Sequence, residues 1–124
     1  MLTPEVIKGK LFSLHNSAHS LHLDTRNFAE HEALKTLYTE LVEFKDSLCE
    51  MLMGYQNGKR IGKIKLDEVP MYSQEAVNQL VKDGMSFSKE LYEWAEDKGY
   101  CDVSNTAQAL SGLFAQTLYR LTLS

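Results

Sequence analysis

Proline occurs only twice in this chain of 124 residues, at Pro4 and Pro70. Long stretches are therefore free of the residue that breaks helices, and both prolines read as boundaries. Cysteine is equally scarce: Cys49 and Cys101 have no C-x-x-C or zinc-ribbon spacing. That argues for two reduced thiols in a cytoplasmic protein, with Cys49 acting as a small packing hydrophobe. The apolar runs are only a few residues long, too short to cross a bilayer. The opening Met1-Leu-Thr-Pro-Glu has no basic region followed by an apolar stretch, so no secretory signal is expected. A net charge of −4 goes against a general polyanion binder, which needs clustered Lys or Arg. With 44% hydrophobic residues, the chain suits a single domain over residues 1–124 built on one core.

What is present is helical periodicity. Thr3 can cap a helix whose first position is Pro4, and Ile7, Leu11, Leu14, Ala18 and Leu21 then recur at steps of 4 and 3. The pattern lapses around residues 24–27, where Asn27 or Asp24 can cap a second helix. Leu34, Leu37, Leu41, Phe44, Leu48, Leu52 and Tyr55 form its stripe, the most regular in the chain, and Gly54 with Asn57-Gly58 ends it. Ser73 opens a third helix carrying Val77, Leu80, Gly84, Phe87, Leu91 and Trp94, closed by Lys98-Gly99. Asp102 or Ser104 caps a fourth, with Val103, Ala107, Leu110, Leu113 or Phe114, Thr117 and Leu121. Only the alternation from Ile61 to Leu66 hints at a strand. Short first and last links with a long middle one predict an all-α antiparallel four-helix bundle with a crossover connection, ferritin-like in plan, with a simple up-down-up-down bundle as the alternative if the long link hangs free. The cationic loop residues Lys59, Arg60, Lys63 and Lys65 read as a solvated surface.

Four residues carry the chemistry. His19, His31, Asp46 and Glu50 follow the spacing H-x11-H-x14-D-x3-E, with the two carboxylates one helical turn apart. Imidazole nitrogen with carboxylate oxygen suits a divalent first-row metal such as iron. At about 100° per residue, His31, Lys35, Asp46 and Glu50 share an arc roughly 150° from the leucine stripe. These side chains therefore face solvent or another subunit. An intra-bundle di-iron centre is not expected, because the fourth helix has no acidic residue past its cap and no Glu-x-x-His occurs. His15, His19 and His22 form a ridge flanking the first helix's apolar stripe, read as a partly exposed polar seam.

Taken in order, His19, His31, Asp46 and Glu50 resemble the motif of the Dps family, the miniferritins of the ferritin superfamily. The resemblance covers roughly residues 11–55 and the four-helix plan. It implies an iron site between two subunits, with His19 and His31 from one and Asp46 and Glu50 from its neighbour. It also implies a homo-oligomer that oxidises and stores Fe(II). The sequence departs from the family at Lys35, where an acidic residue is usual, and at Ser20, where an aromatic is usual. A Lys in that place would repel a metal unless it swings to Glu32, three residues earlier. The family's Lys-rich N-terminal tail is missing, and DNA binding is not expected. These departures leave an alternative open: a non-catalytic ferritin-like helical interaction or structural protein without metal.

Overall fold

The computed structural model describes residues 1–124 and contains four α-helices joined by three links. They are α1 (Pro4–Asp24), α2 (Phe28–Tyr55), α3 (Gln74–Lys98) and α4 (Cys101–Leu121). Capping chemistry sets most of the boundaries. Thr3 Oγ1 accepts from the Val6 N–H, Asn27 Oδ1 from the Glu30 N–H at 2.9 Å, and Ser73 Oγ from the Ala76 N–H at 2.9 Å. Each bond satisfies an orphan donor of a first turn. At the far ends, Asn57 and Gly58 take positive φ to close α2, and Gly99 at φ 74° closes α3. The fourth start differs from expectation: Tyr100 precedes α4, and no side chain caps it. Ser104 turns instead toward α3, its hydroxyl donating to Glu96 Oε2 at 3.0 Å.

α1 packs on α2 and α3, α4 packs on α2 and α3, and the backbones of the two diagonal pairs do not approach closely. Residues 56–73 carry the chain the full length of the bundle along α1. Near the start of α1, the Lys8 ammonium donates to the Gly62 carbonyl at 3.1 Å. Midway, the Asp67 N–H donates to Ser13 Oγ at 2.8 Å, and Lys10 pairs with Asp67 at 3.8 Å. Beyond the end of α1, Tyr72 reaches Glu30. The chain thus re-enters α3 at the end where α2 began, which makes every packed pair antiparallel. The expected crossover bundle is what forms. Ile61–Leu66 runs beside α1 as irregular backbone and pairs with no strand.

The core is one cluster of 23 buried residues drawn from all four helices, with Leu2 and Ile61 added from outside them. The leucines of the α2 stripe (Leu34, Leu37, Leu41, Leu48 and Leu52) are all fully buried, as are Ile7, Leu11, Ala18 and Leu21 of α1. Leu113 and Phe114 both face inward. Phe114 fits because its ring lies against α3 at Gly84, where any Cβ would occupy the space of the ring. Gly9 does the same for the crossover: a Cβ there would come within 2.6 Å of the Lys65 carbonyl oxygen.

Three glycine substitutions separate close approach from helix propensity. Gly84→Ala overpacks the core against a rigid aromatic ring and loses about 1–3 kcal/mol. Gly9→Ala loses stability by lifting the crossover from α1. Gly112→Ala, which meets nothing within 4 Å on α4, gains about 0.5–1 kcal/mol from helix propensity. Thermal melts followed by far-UV circular dichroism read all three, and a stabilised Gly84→Ala would contradict the packing described.

Candidate functional site

All four histidines gather where α1 turns into α2, with Tyr38 among them. The His19 ring stacks on Tyr38 with centroids 4.4 Å apart, and His15 meets the edge of the same ring at 5.9 Å. His22 stacks on His31 at 3.8 Å. Those two rings are also clasped by hydrogen bonds: each Nδ1 lies 2.8 Å from the other residue's carbonyl oxygen. A carbonyl can only accept, so both Nδ1 atoms carry the proton, and in the neutral ring each Nε2 keeps its lone pair. His22 is 6% exposed, inside the protein rather than on a flanking seam. The hairpin closes over it because α1 and α2 meet where their link is only three residues long.

Beside the clasp lies a group that helical periodicity did not single out. Glu30, in the first turn of α2, is 1% exposed although it is an acid. Its Oε1 accepts from Thr25 Oγ1 at 2.6 Å and from the Tyr72 hydroxyl. The hydrogen bond to Glu30 is the main cause holding the Tyr72 phenol above its ordinary pKa. No cation pairs with Glu30: the chain's one ion pair is Lys10–Asp67. Glu30 therefore acts as a polar clamp, tying the end of the crossover to the α1–α2 turn through two hydroxyls. Its sequence signal was its place between Asn27 and the leucine stripe, a first-turn acid that ordinarily faces water.

The residues expected to hold metal fall into two separate groups within the chain. His19 is exposed on α1 and His31 half-buried on α2, both at the hairpin end. Asp46 and Glu50 are exposed further along α2. Asp46 lies fifteen positions after His31 along α2, about 22 Å of helix. No group of three or more His, Cys, Asp or Glu side chains in the chain is placed to hold a metal ion. Lys35 is exposed and makes no ion pair with Glu32. Cys49 is buried between the two carboxylates' positions, and burial pushes its thiol pKa up, as suits a packing residue rather than a nucleophile. Lys45 lies over the Phe12 ring, 4.1 Å from its centroid.

The architecture defines the class: a four-helix bundle with a full-length crossover, its hairpin end fastened by histidines and a buried acid. Within that class, the chain belongs to a family of unknown function (DUF5856), whose model matches residues 22–121. It is also similar to an uncharacterized 14.6 kDa protein encoded in the mobD-ri intergenic region of Enterobacteria phage T4. The two are 24% identical over 116 residues, covering 93% of this chain and 84% of the phage protein. No solved structure matches the chain. Neither match carries the iron chemistry that the Dps-like spacing implied. No helix is long and apolar enough to cross a membrane.

Two predictions follow from the clamp and the ridge. Tyr72→Phe leaves a buried carboxylate oxygen short of a donor and costs about 1–3 kcal/mol, read by denaturant unfolding. A cost near zero would mean Glu30 is not held as described. His15 is held below its ordinary pKa by burial first, then by Lys45 and His19, against an opposing Asn16 hydrogen bond. The folded state thus binds this proton less readily than the unfolded chain. Stability is full above the ordinary histidine value of about 6.5 and falls as pH drops through it toward the depressed value. His15→Gln flattens that part of the melting-temperature profile.

Proposed function

We propose that this chain is a non-catalytic helical interaction protein. The observation that carries the reading is the use of the hairpin end. Its histidines and its buried acid are spent on internal hydrogen bonds and stacking, and they fix the end of the bundle in one shape. Around that fixed frame stand large apolar side chains left in water, Phe28 and Met71 foremost, at 76% and 89% exposure. A rigid frame displaying apolar anchors is what a binding surface requires, because little ordering entropy is lost on docking.

A second reading keeps the iron site between subunits, and one feature favours it. The Nδ1–H of His31 is committed to a carbonyl, which orients a free Nε2 as in metal-ligating histidines. On this reading His19 and His31 of one copy would meet Asp46 and Glu50 of another, and Fe(II) would be the substrate.

Elemental analysis of the purified protein and the rise of ferric absorbance on adding Fe(II) in air separate the two. The interaction reading expects substoichiometric metal and oxidation at the rate of buffer alone. Stoichiometric iron, with oxidation faster than buffer and sharply reduced by Asp46→Ala, would replace it with the second reading.

A further inference from the structure

The large apolar side chains left exposed are unevenly placed. Six of the eleven (Leu23, Phe28, Met71, Leu118, Tyr119 and Leu123) come from four separate segments, yet all stand at one end of the bundle. Leu23 ends α1, Phe28 starts α2, Met71 lies just before α3, and the last three close α4. The antiparallel packing brings these termini together at the hairpin end. At their exposures they present several hundred Å² of apolar surface. A monomer's largest patch is ordinarily about 300–600 Å², and a stable interface takes roughly 800 Å² from each partner.

Charge says what covers this end. At the surface there, apart from the buried Glu30, Asp24, Glu32 and Glu75 stand with Arg26, Lys35 and the half-buried Arg120, three charges of each sign. One of the Arg120 guanidinium nitrogens is buried without a partner. None of the six forms an ion pair within the chain, whose one pair is Lys10–Asp67 elsewhere. An end built for a strongly acidic or basic partner would carry a field of one sign. A balanced and interspersed set is complementary to itself under a twofold rotation, in which each acid can face a base of the other copy. The clasp of His22 on His31 and the Glu30–Tyr72 clamp hold the frame under these side chains, so docking needs no rearrangement.

We infer that the hairpin end is a twofold interface, on which a second copy of this chain docks end to end to give a closed dimer. The inference rests on the interaction reading above and names its partner. Pairing buries Phe28, Met71 and Tyr119 at the centre and leaves the charged residues at the rim. It puts the two crossovers' Lys59–Lys65 stretches at the outer ends of the dimer.

Sedimentation equilibrium of the full chain over a range of concentrations tests this, with Phe28→Glu, Met71→Glu and a control, Leu66→Glu, on the crossover. All three positions are exposed, and an acid at the first residue of α2 suits the helix dipole, so folding should be retained. Circular dichroism melts check that. The expected result is a dimer for the native chain and for Leu66→Glu. Either interface variant should weaken dimerisation by at least about 30-fold at an unchanged melting temperature. A monomeric native chain, an unaffected dimer in both interface variants, or open-ended growth with concentration would each overturn the twofold dimer. A metal-free monomer would sink this inference while leaving the interaction reading with an unlike partner. Stoichiometric iron would remove the interaction reading whatever the oligomeric state.

Discussion

The contact on which the arrangement depends is the laying of residues 56–73 along α1. A link of this length could loop freely and let α3 start at either end of the bundle. It does not, because it is fastened at three levels: Lys8 to the Gly62 carbonyl, Ser13 to the Asp67 amide, and Glu30 to the Tyr72 hydroxyl. Gly9 permits the approach, since its missing side chain is where the Lys65 carbonyl sits. Once the link runs the length of α1, α3 must begin at the hairpin end. The pairing of α1 with α3 and of α2 with α4 then follows. The Asp67–Ser13 bond joins neutral groups and contributes about 1 kcal/mol, while those of Lys8 and Glu30 involve a charged group and contribute about 1.5–3 kcal/mol each. Together they select a path more than they supply the bulk of the stability. Stability comes from the buried leucine stripe and its partners.

The same connection explains the character of the hairpin end. It delivers Tyr72 as a second donor to a buried carboxylate that otherwise has only Thr25, and it leaves Met71 exposed just before α3. A buried acid satisfied by two hydroxyls is a costly feature unless geometry is held closely. Here it is held by the Asn27 cap on one side and by the histidine clasp on the other. The polar network and the apolar display are two sides of one construction, the first fixing the frame on which the second stands.

Family membership places the chain with proteins of unknown function, and the phage relative is uncharacterized. The molecule's own surfaces are therefore what bears on its function. The charge distribution points the same way as the apolar end. Lys59, Arg60, Lys63 and Lys65 lie on the crossover far from the hairpin end, leaving that end near neutrality within a chain of net charge −4. A balanced end and a segregated basic stretch can serve different contacts without interfering.

Much of the fold was legible in the residues. The caps at Thr3, Asn27 and Ser73, the stop at Gly99 and the leucines of α2 are local signals, each acting within one or two helical turns. The crossover was legible only as the preferred use of an 18-residue link, because the contacts with α1 and Glu30 that fasten it are tertiary. The start of α4 was not, since Ser104 found a better acceptor in Glu96 across the turn, and that partner is fixed by tertiary packing. The histidines show the same division. Their spacing put them near one another, but whether an imidazole faces water, a metal or a carbonyl depends on how two helices meet at a three-residue turn. Sequence alone determined which side of each helix is apolar and where each helix stops. Tertiary structure decided that Glu30 and His22 are buried, that Asp46 and Glu50 stand apart from the imidazoles within the chain, and that four distant segments share one apolar end. Periodicity reports a residue's angle about its own axis, whereas a site is made of distances between different axes.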